Sequence, residues 1–314
     1  MRAGAVIVNF NGGADLPACL DALRAQTVPV EVVLVDCASS DGTRRLAESP
    51  PPGVRGLPLP RNAGYAGGCA AGLDLLGPGV DPVGFFNPDC FPASEFLAVC
   101  AALLAAEGDV GGVAGRLVRA DGTTLDSCGQ LLTPFLLRVR DRGYGEPAAG
   151  AYQSRGDVLA ACGAGMVYRR AALAAAAVDG EVFPSDYFAF WEDLDLGWRV
   201  RNAGWRIVYE PRAVAVHRRA ATAEPGAGRL IFRRPPELAA AVVANRWATL
   251  LRNLHAVDFL VRLPVLLPGE ILMLSWLAVR DPRLLPALRR ALPRVRRAAR
   301  QRGRLPRRRL GRLL

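Results

Sequence analysis

Short apolar runs alternate with segments of helical spacing along the first 120 residues. The apolar runs cover residues 5–10, 30–35, 54–59 and 83–86, and the helical segments cover residues 15–24, 41–48 and 67–76. The runs are apolar almost throughout rather than at every second position, which is typical of strands covered on both faces. Because strands alternate with helices, the pattern predicts an α/β fold with a parallel, doubly wound sheet.

The remaining chain is less regular. Residues 110–180 mix strand-like pieces with loops rich in Gly and Pro, and the pattern is helical from Glu237 onward. We therefore divide the chain into a ligand-binding domain over residues 1–235, a helical extension over 236–280 and an Arg-rich tail over 281–314.

Polar or Gly-rich clusters follow four of the predicted strands. They occupy residues 9–12, 36–43, 61–68 and 87–89. Parallel sheets bind ligands beyond the carboxyl ends of their strands, so the clusters outline a cleft for a nucleotide sugar or a dinucleotide. The dinucleotide pattern Gly-x-Gly-x-x-Gly is absent, which argues against a dehydrogenase.

Two of these clusters support both a ligand contact and a structural alternative. Asp36 ends an apolar run, where its carboxylate can accept the N3–H of uracil or thymine, whereas Ser40 or Asp41 can cap the next helix. The turn from Gly64 to Gly68 lets backbone N–H groups approach a diphosphate; alternatively, it is a tight packing turn.

Carboxylates and one histidine are the remaining candidates. Asp89 can hold a divalent ion between two phosphates, with His217 as a second ligand or as a structural histidine. Residues 191–195, Trp-Glu-Asp-Leu-Asp, place three acids beside large aromatic side chains. This pattern favours a general base in a partly dry cleft over a simple acidic first turn of a helix.

The charge of the 314-residue chain is concentrated at its end. All 40 basic residues are Arg, which excludes a catalytic Lys, and 13 of them lie in residues 281–314 beside a single acid, Asp281. Such a tail indicates an anionic partner, either lipid or nucleic acid. The seven Cys have no Cys-x-x-Cys spacing, so neither a zinc site nor a disulfide framework is predicted. We expect no signal peptide, and residues 263–279 fall short of the ~20 clean apolar residues of a membrane span.

Together these motifs resemble family 2 inverting glycosyltransferases with a GT-A fold, most closely a bacterial rhamnosyltransferase-like branch. The resemblance covers about residues 3–255. The motifs, in family order, are VIVNFNG at 6–12, VD at 35–36 with SSDGT at 39–43, NAGYAGG at 62–68, NPD at 87–89, GAG at 163–165 with RR at 169–170, WEDLDLGWR at 191–199, AGW at 203–205, His217 and NRW at 245–247.

The resemblance implies a GT-A (nucleotide-diphospho-sugar transferase) fold, with a mostly parallel sheet flanked by helices and a helical C-terminal extension. Asp193 would be the catalytic base, with Glu192 beside it. Asp89 would take the metal-binding role of the Asp-x-Asp motif and hold Mg²⁺ or Mn²⁺ together with His217. The implied donor-binding residues are Asn9, Asn11, Asp36 (which would recognise the pyrimidine), Ser39, Asp41, Asn62, Gly64, Gly67, Gly68, Asn87 and Asp89. The implied acceptor- or sugar-binding residues are Trp191, Asp195, Trp198 and Arg199.

The sequence departs from the family pattern at two places. Cys37 stands where the family often has Asn, and Cys69 and Ala70 stand where it often has an Asn pair. These departures bear on the identity of the donor sugar and leave the reaction class unchanged.

The resemblance implies a single displacement at the anomeric carbon, with dTDP-rhamnose as the favoured donor. Another dTDP- or UDP-linked sugar, such as galactofuranose or a hexose, is the alternative. The expected acceptor is a lipid-linked glycan, and the Arg-rich tail would hold the protein peripherally on the anionic inner face of the cell membrane, in the cytoplasm.

Three interpretations from other classes are less favoured. The near-neutral body argues against a protein that binds nucleic acid through its tail, so nucleic acid is not an expected partner. The intact acidic cluster argues against a catalytically silent glycan-binding relative. A nucleotidyltransferase would begin with a Gly-rich phosphate loop in place of residues 9–11.

Overall fold

A mixed β-sheet forms the centre of the molecule, seen here in a computed structural model that describes residues 2–219 and 235–311. The strands are β1 Ala3–Asn9, β2 Val30–Asp36, β3 Val54–Pro58, β4 Val83–Phe86, β5 Cys90–Pro92, β6 Val110–Val118, β7 Leu125–Ser127, β8 Gln130–Leu132, β9 Val139–Asp141, β10 Gly156–Asp157, β11 Gly165–Tyr168 and β12 Arg206–His217. Their order is β10-β12-β6-β11-β4-β1-β2-β3, with β5 beside β12 and β7 beside β6, while β8 and β9 form a separate pair.

The sheet is mostly parallel, as predicted. Strands β3, β2, β1 and β4 run parallel to one another, and β12 runs parallel to β6. Strand β11 is antiparallel to both of its neighbours, β4 and β6. The four apolar runs of the N-terminal half therefore became the parallel part of the sheet, and their carboxyl ends share one edge.

Helices cover both faces of this sheet. They are α1 Asp15–Arg24, α2 Arg45–Glu48, α3 Gly64–Leu75, α4 Phe96–Ala106, α5 Arg170–Ala176, α6 Glu192–Asn202, α7 Pro236–Asn253, α8 Ala256–Arg280 and α9 Leu284–Gln301. Val6 and Val8 of β1 belong to the apolar cluster that includes α3 and α6, whereas Ile7 belongs to the cluster that includes α1 and α4. Because successive strand side chains point to opposite faces, an uninterrupted apolar run supplies both cores.

The C-terminal helices pack on one another and on the sheet domain. Leu284 and Leu288 of α9 are buried in one cluster with Ala240 and Val243 of α7. Farther along, Leu310 is 2% exposed, within the larger core. Most of the Arg-rich segment thus lies against the folded body, while residues 312–314 and the end of the first predicted domain, 220–234, lie outside the described residues.

Helix length and hydropathy bear on membrane insertion. None of the helices in the described ranges is both long and apolar enough to cross a bilayer.

Candidate active site

The carboxyl ends of β1 and β2 are joined by one buried amide. Asn9 pairs in register with Asp36, and its Nδ2 donates to Asp36 Oδ2 at 2.8 Å, Ser39 Oγ at 3.0 Å and Thr43 Oγ1 at 2.8 Å. Asn9 is 0% exposed. The Asn9 amide is thus engaged within the chain, where it holds the loop after β2, and the donor contact of Asn9 stays a prediction.

Asp36 lies equally deep. Its Oδ1 accepts the Ser39 N–H at 3.0 Å and lies 3.5 Å from Arg44 Nη1, and the residue is 0% exposed. A pyrimidine ring reaches this carboxylate only if Arg44 or the loop moves, so base recognition by Asp36 stays a prediction.

Further hydrogen bonds shape the exposed rim of the same cleft. Asn11 Oδ1 accepts the Ser40 N–H at 2.8 Å, and Ser39 Oγ accepts the Asn11 N–H at 2.9 Å. Asp41 Oδ2 accepts the Gly13 N–H at 2.8 Å. Asn11 and Asp41 are exposed, so both are in position to meet a ligand, whereas the Ser39 hydroxyl is held between Asn9 and Asn11.

The Gly-rich turn brings α3 close to its neighbours. The predicted residues there are Asn62, Gly64, Gly67 and Gly68. Gly64 has φ +70°, and a Cβ on it would lie 2.2 Å from the Phe188 carbonyl oxygen. A Cβ on Gly68 would lie 2.4 Å from Val8 Cγ1, and Asn62 Oδ1 accepts the Gly64 N–H at 2.8 Å. Close packing thus accounts for Gly64 and Gly68, and diphosphate binding by this turn stays a prediction.

The loop before α6 carries the most unusual backbone of the site. Phe188, Phe190 and Trp191 have φ values of 60°, 69° and 73°, in the left-handed region. Such conformations cost free energy in non-Gly residues and concentrate at functional sites. Asn245 of α7 holds the loop, because its Nδ2 donates to the carbonyl oxygens of Ala189 and Phe190 at 3.1 and 2.8 Å.

That loop places Asp193 in the first turn of α6. Asp193 Oδ2 accepts from Gln130 Nε2 and from the Gly163 N–H, both at 2.8 Å, and Oδ1 accepts the Leu194 N–H at 2.8 Å. The side chain is half-buried. Burial raises the pKa of Asp193 above its ordinary value, although the three hydrogen bonds act in the opposite direction. The result is a fixed, accessible carboxylate that is more basic than a surface aspartate.

Glu192 lies beside it in a different environment. It is 6% exposed, and its Oε2 has no hydrogen-bond partner among the described residues. Burial, followed by the neighbouring Asp193 charge, raises the pKa of Glu192 well above its ordinary value. This favours the neutral carboxyl group, so Glu192 is poorly suited to be the base.

Three of the predicted acceptor- or sugar-binding residues are buried, and their contact with a ligand stays a prediction. Asp195 is 0%, Arg199 1% and Trp198 1% exposed. Asp195 accepts from Arg199 Nε at 2.7 Å, from Arg252 Nη1 at 2.7 Å and from Asn253 Nδ2 at 2.9 Å. Burial alone would raise the pKa of Asp195, but Arg252 and Arg199 hold it below the ordinary value. Asp195 thus joins α6 to α7 inside the protein. Trp191 is 7% exposed, and its contact with an acceptor or sugar stays a prediction.

The predicted metal ligands lie side by side. Cys90 pairs in register with His217, so β5 and β12 bring His217 Nε2 to 3.4 Å from Asp89 Oδ1. On the other side of the ring, His217 Nδ1 lies 2.7 Å from Asp126 Oδ2. Burial alone would lower the pKa of His217, but its hydrogen bonds to Asp126 and Asp89 raise it to about 9.

The side chains of Asp89 and His217 supply some of the ligands that a divalent ion requires. A carboxylate oxygen and an imidazole nitrogen face each other, and Asp126 holds the far ring nitrogen as metal-binding histidines usually require. The described residues contain no cluster of three or more His, Cys, Asp or Glu side chains arranged for a metal. A bound ion would therefore need further ligands from the substrate. Asn87, half-buried at the end of β4, lies two residues away.

Several residues of the site escaped the sequence analysis. Gln130 and Asp126 lie in strands of three residues each, too short for any periodic pattern. Arg252 lies in a helical pattern typical of a solvated face, yet it is 5% exposed. Asn245 lies within the NRW motif of the resemblance, which carries no local sign of the hydrogen bonds that its amide makes.

Comparison with known proteins adds three findings. The sequence model described as Glycosyl transferase family 2 matches residues 5–175. An N-acetylglucosaminyl-diphospho-decaprenol L-rhamnosyltransferase is 32% identical over 247 residues, covering 68% of this chain and 75% of that protein; it is found in two strains of Mycobacterium tuberculosis.

Solved structures share the fold at low identity. S. aureus TarS 1-349 in complex with UDP-GlcNAc is 16% identical with a TM-score of 0.59, covering 96% of this chain and 84% of that chain. The mannosyltransferase PcManGT from Pyrobaculum calidifontis, in complex with GDP-Man and Mn²⁺, is 19% identical with a TM-score of 0.55, covering 95% and 86%. The expected GT-A fold is thereby confirmed.

Proposed function

The chain belongs to glycosyl transferase family 2 and is a glycosyltransferase, and we propose that it moves rhamnose from dTDP-rhamnose to a hydroxyl group of a lipid-linked glycan. The relative at 32% identity supports the transferred sugar and the lipid-linked acceptor, since its name describes an L-rhamnosyl transfer to a diphospho-decaprenol-linked sugar. The departures at Cys37 and Cys69 keep another dTDP- or UDP-sugar as the alternative donor.

The geometry of Asp193 carries the chemical part of the proposal. Gln130 and Gly163 occupy Oδ2 and leave Oδ1 with only the Leu194 N–H, so Oδ1 retains a lone pair for an acceptor hydroxyl. In the proposed step, Asp193 removes the hydroxyl proton while the acceptor oxygen attacks the anomeric carbon. The nucleotide diphosphate leaves from the opposite face, so the configuration inverts and no covalent nucleophile is needed.

We assign Asp89 and His217 to a divalent cation, Mg²⁺ or Mn²⁺. When bound, such an ion neutralises charge that grows on the leaving diphosphate. Asp89 supplies an anionic oxygen, and Asp126 keeps the Nε2 of His217 directed toward it. The Mn²⁺-bound structural neighbour is consistent with this assignment.

A peripheral site at the cytoplasmic face of the membrane fits the proposed acceptor. We propose that α8 is the surface that contacts the membrane, because the apolar residues of α9 are largely buried against α7. Helix α8 exposes a series of large apolar side chains: Leu260, Val261, Val265, Leu267, Ile271, Leu272, Trp276 and Val279. Exposed Arg side chains of α9, among them Arg289, Arg290 and Arg300, would meet anionic headgroups beside it.

The proposal is tested by a panel of donors offered with a synthetic lipid-diphosphate-linked N-acetylglucosamine acceptor. We expect product with dTDP-rhamnose and far less with UDP-galactofuranose, UDP-glucose or UDP-GlcNAc. Product from a UDP-sugar alone would move the donor assignment, and absence of transfer from every donor would overturn the proposed acceptor. The anomeric configuration of the product, read by NMR, tests inversion separately.

A further inference from the structure

An apolar cavity of about 340 Å³ lies among the C-terminal helices, away from Asp193. Its apolar walls are Trp247, Leu250, Leu251, Leu254, Phe259, Leu266 and Val295, from α7, α8 and α9 and the turn between α7 and α8. The volume lies near the lower end of the range for small-molecule pockets, about 300–1,000 Å³. It suits a segment of a hydrocarbon chain rather than a whole lipid.

The polar residues of the cavity are confined to three side chains. Arg246 and Glu270 neutralise each other, and Glu270 Oε2 also accepts the Trp247 Nε1–H at 2.8 Å. Arg302 differs from this pair: it is half-buried, its Nη1 donates to the Leu251 carbonyl oxygen at 2.6 Å, and the described residues place no acidic side chain in an ion pair with it. Its charge is therefore available to an anion at the cavity rim.

The cavity is connected to the site through two short paths. Arg246 Nη2 donates to the carbonyl oxygen of Leu136, in the loop that follows β8, and β8 begins at Gln130, which binds Asp193. Asn245, the residue before Arg246, holds the strained loop before α6. One wall of the cavity therefore belongs to the same helix that fixes the catalytic loop.

The cavity is also continuous with the exposed apolar surface of α8. Phe259 lines the cavity and is 39% exposed, and the next residues, Leu260 and Val261, are 62% and 63% exposed. A hydrocarbon chain that leaves a bilayer along α8 would thus remain on apolar surface until it enters the cavity.

We propose that this cavity binds an isoprenoid segment of the acceptor lipid, with Arg302 meeting a phosphate at its rim. The inference rests on the proposed lipid-linked acceptor and adds a binding site for the lipid part. The lining, the volume, the available charge of Arg302 and the continuity with α8 all favour this occupant over a polar metabolite. The cavity would fix the acceptor lipid while its sugar reaches Asp193.

Binding of farnesyl phosphate to the full chain, measured by calorimetry, tests the site directly. Leu251→Trp fills the cavity from a residue that is 37% exposed, so the fold should tolerate the change. We expect this variant to bind farnesyl phosphate about tenfold or more weakly, the effect of losing contact with about two CH₂ groups. The matched control, Leu285→Trp, adds the same side chain at a 42% exposed position outside the cavity and should bind as wild type does.

Phe259→Trp provides a second test should Leu251→Trp misfold, as judged by circular dichroism. Equal affinity of wild type and a folded cavity variant would overturn the inference. The inference would also be overturned if inorganic phosphate bound the site as tightly as farnesyl phosphate, since the site would then recognise only the anion. Arg302→Gln should weaken the binding of farnesyl phosphate and leave the binding of farnesol unchanged. Equal losses for the two ligands would exclude the proposed contact between Arg302 and the phosphate.

Kinetics separate this inference from the proposed function. With a decaprenyl-linked acceptor, Leu251→Trp should raise KM about tenfold, whereas with an octyl-linked acceptor of the same sugar the change should be smaller. Transfer that is equally efficient in Leu251→Trp and wild type would reject the cavity and keep the proposed function. If the binding of farnesyl phosphate depends on Leu251 but the protein transfers no rhamnose, the cavity is kept and the proposed function is rejected.

Discussion

Asp193 and Glu192 are adjacent carboxyl groups with different surroundings. Asp193 is half-buried and accepts three hydrogen bonds, whereas Glu192 is 6% exposed with an Oε2 that has no partner among the described residues. Hydrogen bonds from neutral donors stabilise a carboxylate anion, whereas burial without such bonds favours the neutral acid. The difference supports the proposed proton-accepting role of Asp193.

Replacing Asp193 by Asn should therefore lower kcat by about 10²–10⁴-fold, the usual effect of a positioned general base. Binding of the nucleotide diphosphate should be retained, because the amide that replaces the carboxylate has nearly the same size and shape. Rates of transfer and calorimetric titration with dTDP check the two expectations. Glu192→Gln, which resembles the neutral acid, should keep most of the activity; the opposite ranking of the two variants would make Glu192 the base.

The raised pKa of Asp193 predicts the acid side of the pH–rate profile. As pH falls through this pKa, the carboxylate is protonated and can no longer accept the hydroxyl proton. The decline should thus begin above the range of an ordinary aspartate, about 3.9. Gln130→Ala removes a hydrogen bond that stabilises the anion, so it should move the decline to higher pH. A profile unchanged from wild type would contradict this role of Gln130, and Gln153→Ala, at an exposed site, serves as the control.

At the scale of elements, α6 depends on α7 through buried charges. Arg252 Nη1 donates to Asp195 Oδ1 at 2.7 Å, and its Nε donates to Gln301 Oε1 of α9 at 3.0 Å. Arg252, itself on α7, therefore joins α6 to two of the C-terminal helices. Removing it leaves Asp195 buried with less positive charge around it.

Arg252→Met should lower the free energy of unfolding by about 3 kcal/mol, the lower end of the range for breaking a buried ion pair, because Arg199 still faces Asp195. Urea denaturation measures this loss. The control is Arg290→Met, whose ion pair with Glu237 is exposed and should contribute less than about 1 kcal/mol. Equal effects of the two variants would mean that the buried network adds no more stability than a surface pair.

Strands β5 and β12 assemble the proposed metal site, with Asp126 behind it. EDTA should abolish transfer by the wild-type enzyme, and Mg²⁺ or Mn²⁺ should restore it. Asp126→Asn weakens the support of His217, so the Mn²⁺ concentration for half-maximal rate should rise about 10–100-fold. Asp141→Asn is the control, because Asp141 shares Arg219 with Asp126. Full activity in EDTA would exclude the ion from the reaction.

Elements with a strong apolar pattern could be predicted from sequence, and those defined by long-range contacts could not. Helix α1 has the predicted bounds, and β4 matches the apolar run at 83–86. Helix α6 begins at Glu192, directly after the left-handed backbone of Phe188, Phe190 and Trp191. That backbone depends on Asn245, more than fifty residues away, so no local signal reveals it.

The same distinction applies to the candidate site. The positions of Asp89, Asp193 and His217 could be predicted from sequence, because Asp89 closely follows an apolar run, Asp193 lies in the first turn of α6 and His217 ends β12. Asp195 and Arg199 carry the same chemistry in the sequence, but only the tertiary structure shows that both are buried and that Arg252 and Asn253 bind Asp195. Polar side chains at a strand end or in a first helical turn therefore indicate where the site lies without separating ligand contacts from supporting residues.

At the scale of the whole molecule, the charge and the apolar surface lie on different helices. Residues 281–314 hold 13 Arg, whereas α8 exposes the apolar side chains. Removing residues 281–314 would uncover Ala240 and Val243 of α7, which pack on Leu284 and Leu288. Point substitutions on α8 are therefore a sharper test of membrane contact than truncation.

Leu272 is 72% exposed on α8, so Leu272→Glu should leave the fold intact while placing a charge where the proposed contact needs hydrocarbon. We expect wild-type protein to float with vesicles containing anionic lipid. The variant should bind them about tenfold or more weakly, because burial of one Leu side chain contributes about 1.5–3 kcal/mol. Val139→Glu, at a 40% exposed position on β9, is the control.

The salt dependence of vesicle binding separates the electrostatic contribution of the Arg side chains from the apolar contribution of α8. Each Arg near an anionic surface contributes about 1 kcal/mol, and this contribution is screened as salt rises. High salt should therefore release much of the wild-type protein, while the remaining bound fraction should still depend on Leu272. Equal flotation of wild type and Leu272→Glu at every salt concentration would show that α8 does not enter the bilayer. Binding of duplex DNA at physiological salt, without binding to vesicles, would instead assign the Arg-rich helix to nucleic acid.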